Sequence, residues 1–457
     1  MLLYDIGVKQ IISAKLKLQT SPEQFQALRR LSLAYRDGLN AVSRYAYAHG
    51  KTSSNQSLHR GMYAELRARY RLPSQLACSV QRQVAATYKG LWTKVKKNAQ
   101  ARLAGVTKKR YKGLDQAPKF VSPTVQYTYE RDYTFKPQQQ VSLGTLEGRI
   151  TLSYQGYEKH VALLHHGASI GDAKLWYDQH KKRFYLLVSL ELEVADPTFE
   201  SHKDTVGVDV GIRYLAVTSP STGEPTFHEA SRVRHQANHY ARLRKRLQQK
   251  GTRNATRRLR RIAQRERRLK QQANHVVSKH IVTTYPQALI GLEQLTDIRD
   301  RTKRRRRRRK KHGKGSEPVS PKARKANRVY SQWSFAQLHA LIAYKAALSG
   351  SMAIKVDANY TSKACPKCGW TSEKNRPKKG LLFHCQNCHY ELHADLVGAR
   401  NITMRTLLLR QDWGKTGYLS VSPDASDKEA KAARLARYAE LRWSPDASPS
   451  PKGGRGN

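Results

Sequence analysis

Apolar side chains recur at helical intervals through the first hundred residues. The segment SPEQFQALRRLSLAYRDGLNAV opens with Ser21 as N-cap, Pro22 in the first turn and Gln24 three residues after Ser21. That chemistry satisfies the orphan amides of a helix start. Phe25, Leu28, Tyr35, Leu39 and Val42 follow near 3.6-residue spacing, and a second helix is predicted from Ser74 with the stripe Leu76, Val80, Val84, Leu91 and Val95. A strand-like lead, IISAKLKL, comes before them. After Gly105 the period shortens to two. TVQYTYERDYTF, QVSLGTLEGRITLSY and AKLWYDQHKKRFYLLVSLELEV alternate β-branched and aromatic residues between turns, the pattern of hairpins closing into a small barrel. Their tyrosines serve as sheet packing or as stacking platforms for bases, two uses that the pattern does not separate.

Asp196 and Pro197 end that region, and TVGVDVGIRYLAV (205–217) reads as a strand with a carboxylate at its centre. Val206, Val208 and Val210 share one face; Gly207, Asp209 and Gly211 share the other. A buried unpaired carboxylate is costly, so the plain reading gives Asp209 a surface position or a partner such as Arg213. Between Ser231 and His280 a helical pattern, broken into a hairpin at Gly251, points Leu243, Leu247, Leu259, Ile262, Leu269 and Val276 inward. It carries 17 Lys or Arg and a single acid, Glu266. Solvated helices mix charge signs for i,i+4 pairing, so charge this one-sided predicts a phosphate-facing surface. KRRRRRRKK at 303–311 has no apolar periodicity and reads as a solvated arm. From residue 411 a mobile tail is expected, with SPDAS repeated and PKGGRGN at its end.

Composition sharpens the picture. The 457 residues are 39 % hydrophobic, enough for several cores, yet 85 Lys plus Arg face 34 Asp plus Glu, a formal net charge of +51. A compact body so charged implies a polyanionic partner, and nucleic acid is the economical one. A membrane surface is disfavoured, because no apolar run approaches the roughly 18 residues of a spanning helix. MLLYDIGVKQ is not a secretion leader, so a cytoplasmic, nucleoid-associated location is expected.

Four of the five cysteines form two CxxC pairs in CPKCGWTSEKNRPKKGLLFHCQNC. Cys365, Cys368, Cys385 and Cys388 at this spacing suit one tetrahedral, structural Zn²⁺ with no open position. Free thiols and an iron–sulfur cluster are the weaker alternatives. His384, His389 and His393 read as surface or nucleic-acid contacts, and Cys78 as an ordinary buried thiol.

The glycine pattern at Asp209 recurs at two other acids. Glu293 ends the apolar strand of YPQALIGLEQL with Gly291 on its face, and Asp395 in HADLVGARNITMR has Gly398 and Ala399 at i+3 and i+4. Three carboxylates beside small residues suggest a cleared face for hard cations and a phosphate backbone. Two Mg²⁺ ions held so could drive phosphodiester hydrolysis.

GVDVGIRYLAV, IGLEQL, WSFAQL with VDANYTSKACPKCG, and FHCQNC running into HADLVGARNI occur in one order, over about residues 200–405. In this they resemble the transposon-encoded TnpB (OrfB) family of RNA-guided nucleases and the small type V CRISPR effectors related to it. The resemblance implies an α/β RuvC-like (ribonuclease H type) nuclease domain with an inserted zinc ribbon, preceded by an all-α recognition lobe and a wedge-type β-barrel. The boundaries expected are 1–19 for the first strand of the wedge barrel, 20–105 for the helical recognition domain and 106–198 for the barrel. The nuclease domain would occupy 199–360, including the basic hairpin, and 391–410, its last helix, with the ribbon at 361–390 and the mobile tail at 411–457. Asp209, Glu293 and Asp395 would be the catalytic, magnesium-binding triad, and the four cysteines the ligands of one zinc. Partners would be a guide RNA and double-stranded target DNA, with one monomer per guide, no membrane, and cleavage beside a short flanking motif. Family members often carry Asn two residues after the last acid; here Val397 stands there. An RNA-guided repressor that binds without cutting and a small CRISPR effector are the rival readings. A strand-transferring transposase is weaker, since no separate Tyr or Ser nucleophile motif is present.

Overall fold

The computed structural model describes residues 8–295, 307–309, 316–318, 320–321, 334–376, 381–423 and 428–443, apart from 123, 166, 180, 195, 196 and 203. Two compact units emerge, one from Val8 to Glu193 and the other essentially from Val194 onward.

In the first unit β1 (Val8–Leu18) leads into α1 (Pro22–Ala48), α2 (Asn55–Ala68) and α3 (Ser74–Leu103). The capping box forms as its residues dictate: Gln24 N–H donates to Ser21 Oγ at 3.3 Å, and Ser21 N–H donates to Gln24 Oε1 at 3.0 Å. Helix α2 lies between the two expected helices. Ser54 caps it, and Leu58, Met62 and Leu66 bury one i, i+4, i+8 stripe. Its 14 residues are too short for periodicity to stand out against the polar positions between.

Strands β2 (Thr124–Tyr127), β3 (Tyr133–Lys136), β4 (Gln140–Thr145), β5 (Gly148–Gln155), β6 (Ser169–Asp178) and β7 (Arg183–Val194) join β1 in a seven-stranded sheet of order β2-β6-β7-β1-β5-β4-β3. A short helix, α4 (Glu158–His165), interrupts the series. Phe184, Leu186, Val188, Leu190 and Leu192 of β7 are buried at every second position, as the alternation requires. The sheet curls to near closure. Tyr127 Oη donates to Gly144 O at 2.9 Å and Tyr133 Oη to Gly171 O at 2.6 Å, so hydroxyls from both edge strands reach across its interior. Tyr127, Tyr133 and Tyr154 are thereby assigned to sheet packing and not to base stacking.

The second unit is built on a five-stranded sheet. Strands β8 (Thr205–Asp209), β9 (Tyr214–Pro220), β10 (Thr226–Glu229) and β11 (Leu289–Glu293) come first. The hairpin α5 (Ser231–Lys250) and α6 (Arg253–Thr284) precedes β11, turning at Gly251 with φ +64°. Strands β12 (Arg307–Arg309) and β13 (Ser316–Pro318) pair antiparallel; the remainder of the basic run at 303–311 lies outside the described residues. Helix α7 (Phe335–Leu348) and strand β14 (Met352–Val356) complete the sheet, in the order β10-β9-β8-β11-β14. β8, β11 and β14 run parallel, while β9 and β10 form an antiparallel arm.

Val206, Val208, Ile290 and Leu292 pack one face against Val277 and Ile281 of α6 and Leu338 and Ile342 of α7. Val276, expected inward, is 60 % exposed, and Val277 takes the buried position. Glu266 is 6 % exposed, between Arg244 at 3.0 Å and Lys270 at 2.8 Å, so the hairpin's one acid rivets its two helices.

Strands β15 (Leu382–His384) and β16 (Glu391–His393) pair antiparallel, so the hairpin that carries Cys385 and Cys388 runs three residues past the expected boundary at 390. Helix α8 (Ala394–Thr416) outruns the expected end at 410, with Trp413 buried near Phe199. The expected mobile tail from 411 is also corrected by a further helix, α9 (Lys428–Ala439), because Tyr438 and Trp443 are each 9 % exposed and seated on buried arginines of α8. Polar composition concealed this docking, which uses ring-on-guanidinium contact in place of an apolar stripe.

Candidate active site and metal centre

The second face of the five-stranded sheet is not open. Helix α8 lies in it, and the glycines are what admit it. A Cβ at Gly207 would meet Ala399 O and Thr403 N at 2.4 Å; one at Gly291 would meet Thr406 Oγ1. Gly207 N–H donates to Thr403 Oγ1 at 3.0 Å, and that hydroxyl donates to Ser219 O at 2.6 Å. The expectation of room for cations along this face is therefore corrected: Gly207 and Gly291 receive helix backbone and threonines. Only the strand ends remain for chemistry.

Asp209 and Glu293 close adjacent parallel strands, where Gly291 pairs with Gly207 and Leu292 with Val208. Asp395 enters from the first turn of α8, where the helix dipole favours a carboxylate. Gly398, one turn on, presents its bare Cα to Asp209: a Cβ there would stand 2.8 Å from Asp209 Oδ2. Burial first, then the negative charges of Glu293 and Asp395, push the Asp209 carboxyl well above its ordinary range. No ion pair joins Asp209 to Arg213 among the described residues, so the plain reading of that pair fails. Glu293 is 9 % exposed and raised by burial, against the Thr361 hydroxyl, which donates to Oε1 at 2.6 Å, and the charges of Arg405 and Arg376.

Arg376, just before residues that lie outside the description, donates to Asp395 Oδ1 at 3.2 Å. Its charge acts on Asp209 and Glu293 as well. His393, the N-cap residue of α8, accepts the Asp395 N–H at Nδ1 and packs edge-on against Tyr214 and Phe227. Thr361, Arg376, His393 and Arg405 were not singled out from sequence for this role. Thr361 sits within the VDANYTSKACPKCG motif, but Arg376 lies in a polar turn that no periodicity marks.

The carboxylates thus share an electrostatic neighbourhood without tight clustering. Among the described residues, the four cysteines alone bring metal-ligating atoms all within 4.8 Å of one another. Three mutually repelling acids with cationic neighbours suit hard divalent cations in donor type and charge.

Cys365 Sγ lies 3.6 Å from Cys388 Sγ, and Cys368 Sγ 3.6 Å from Cys385 Sγ. These separations are far beyond a disulfide and near the ~3.8 Å edge of a tetrahedron with 2.3 Å metal–sulfur bonds, so the cluster could hold a zinc ion. The Cys388 N–H and Asn387 Nδ2 point at Cys385 and Cys368 sulfurs, as thiolates require. Val397 is fully buried with Cys365, Phe383, Cys385 and Ala394. His384 pairs with Glu391 at 3.0 Å and stands outside the cysteine cluster, as does His389. Cys78 is half-buried beside His59. No described helix is long and apolar enough to cross a membrane.

Two family models match the chain. Residues 188–296 match OrfB_IS605, described as "Probable transposase", and residues 335–402 match the Cas12f1-like TNB domain. The CRISPR-associated endodeoxyribonuclease Cas12f1 of Sulfoacidibacillus thermotolerans is 26 % identical over 250 residues, covering 51 % of this chain and 53 % of the relative. InsQ of Escherichia coli (strain K12), a candidate RNA-guided DNA endonuclease, is 26 % identical over 227 residues, covering 48 % and 53 %. The chain spans about half the length of the curated relatives it matches. The cryo-EM structure of CasPhi-2 (Cas12j) bound to crRNA shares the fold, with a TM-score of 0.50 at 13 % identity over 87 % of this chain and 98 % of that one. The chain is similar to the TnpB (OrfB) proteins and the small type V effectors, in the two segments that hold its three candidate carboxylates and its four cysteines.

Proposed function

We propose that this chain is an RNA-guided DNA endonuclease of a transposable element, with a RuvC-like site of ribonuclease H type. The observation that carries the reading is the placement of Asp209, Glu293 and Asp395 at neighbouring strand ends and a helix start, where the charges of Glu293 and Asp395 reach the buried Asp209 carboxyl. Three acids sharing one neighbourhood in a chain of net charge +51 have little structural use. Mixed parallel and antiparallel topology, with Asp209 and Glu293 at the carboxyl ends of two parallel strands, supports the same reading.

Asp209, Glu293 and Asp395 would hold two Mg²⁺ ions, which supply a hydroxide nucleophile and charge neutralisation at the leaving oxygen. Thr361 orients Glu293, while Arg376 holds Asp395 and offers a cation for a non-bridging phosphate oxygen. The α5–α6 hairpin supplies a sequence-independent grip on phosphates. Base pairing by a bound RNA would choose the target, leaving the protein to recognise heteroduplex shape and a short flanking motif. The Cys365–Cys368–Cys385–Cys388 zinc would be structural.

The test is to sequence RNA that co-purifies with the full chain and challenge the complex with a library randomised beside the target. Wild type should cut both strands, and Asp209→Ala should bind without cutting. Absence of bound RNA, or unchanged cutting by the variant, refutes the proposal.

A further inference from the structure

Glu293 depends on a segment that it does not itself belong to. Thr361, its hydroxyl partner, ends a stretch running on from β14, whose Val356 pairs with Glu293 across the sheet. Two arginines hold that stretch. Arg405 of α8, 3 % exposed, donates to the carbonyls of Asp357 and, at 2.7 Å, Asn359. Arg434 of α9 donates from Nε to Asp357 Oδ2 at 2.8 Å, with both side chains largely buried. The Tyr438 ring, also from α9, covers the Arg405 guanidinium at 4.3 Å.

The same tail grips both neighbours of this stretch. Arg437 pairs with Asp412 of α8 through two contacts, at 2.7 and 2.9 Å. Trp443 lies on Arg400 at 5.1 Å, and its backbone N–H donates at 2.8 Å to the carbonyl of Pro366, inside the first CxxC. A segment dismissed by its composition therefore touches the helix of Asp395, the cysteine loop and the support of Glu293.

We propose that Arg434 and Tyr438 are positioning residues for Glu293, fixing residues 357–361 through Asp357 and Arg405 so that Thr361 presents its hydroxyl to the carboxylate. The proposal rests on the nuclease reading only for what Glu293 is positioned to do; the fixing itself is a property of the fold. A buried guanidinium keeps its geometry when its face is covered by an aromatic ring and both its terminal nitrogens donate to fixed carbonyls. Removing the ring admits water to Arg405 and frees the carbonyls it clamps.

The test uses the full-length chain and two readouts that need no cleavage: hydrogen exchange of the amides at 358–364, and the Mg²⁺ concentration at half-maximal upward shift of the melting temperature. Tyr438→Ala should speed exchange there about tenfold and raise the Mg²⁺ midpoint about threefold or more. Tyr438→Phe keeps the ring and should match wild type in both. Arg434→Gln should loosen the segment as Tyr438→Ala does, with Arg434→Lys restoring it in part; this pair carries the test if Tyr438→Ala fails to fold. Unchanged exchange, or faster exchange with an unmoved Mg²⁺ midpoint, overturns the proposal. A wild-type protein that never cuts DNA would refute the nuclease reading and leave these two measurements to decide the tail's role independently.

Discussion

Replacing Gly207 with alanine adds one methyl group where strand β8 meets helix α8. The new carbon would stand 2.4 Å from Ala399 O and Thr403 N and 2.5 Å from Thr403 Oγ1, against an ordinary contact that begins near 3.4 Å. Two of these three atoms are backbone, so relief requires the helix to withdraw by about 1 Å, and overpacking of this kind costs roughly 1–3 kcal/mol or more. Asp395 rides on that helix, and under the proposed nuclease reading a misplacement of about 1 Å would lower the cleavage rate on the order of a hundredfold. Gly291→Ala is the informative contrast. Its carbon would collide chiefly with Thr406 Oγ1, while the next atoms, Thr406 Cβ and Ile402 Cγ2, stand at 3.1 and 3.2 Å. Thr406→Ala should therefore rescue Gly291→Ala, whereas Thr403→Ala should not rescue Gly207→Ala. Denaturant melts of the four single variants and the two doubles, with cleavage rates beside them, decide the matter. A Gly207→Ala protein within about 0.5 kcal/mol of wild type, or one restored by Thr403→Ala, would refute the account of α8 as a helix seated on bare backbone.

Three further outcomes are expected. Asp209 and Glu293 both have proton affinities raised by burial, so in metal-free protein their contribution to stability is fully present below the unfolded carboxylate range and is lost as pH rises through the folded values; Asp209→Asn should flatten that slope, stabilise the metal-free protein at neutral pH, and abolish stabilisation by Mg²⁺ in a melting assay. Cys385→Ser should reduce bound zinc from one ion per chain to nearly none under mild chelation, as measured by elemental analysis, whereas Cys78→Ser leaves it unchanged. Val397→Asn buries an amide among Phe383, Cys365 and Cys385, and chemical denaturation should show a loss of roughly 1–3 kcal/mol.

The sheet strands, the capped first helix and the basic hairpin were legible because each rests on local periodicity or on a residue whose chemistry marks a boundary, as Ser21 and Gly251 do. The cysteine cluster was legible because ligand spacing is itself a geometric statement. What sequence did not disclose depends on long-range contact. The glycines beside Asp209 and Glu293 were correctly read as a cleared face, but periodicity along one strand cannot say whether water, an ion or another helix fills the clearing. Arg376 and Thr361 reach carboxylates 19 and 68 residues away, with nothing local to mark them. The docked tail escaped notice because its anchors are single aromatics on arginines, spaced without a repeat.

Glu266 leaves a last consequence. Sunk between Arg244 and Lys270, it is the sole internal counter-charge in two antiparallel rods whose exposed sides bristle with like sign. The apolar seam of Leu247, Ala255 and Ile262 works with that rivet, but the mutual repulsion opposing both lengthens its range from about 8 Å at physiological ionic strength to about 30 Å at 0.01 M. The hairpin should therefore loosen in dilute electrolyte and tighten again when polyphosphate is added, a change that hydrogen exchange of its amides would register.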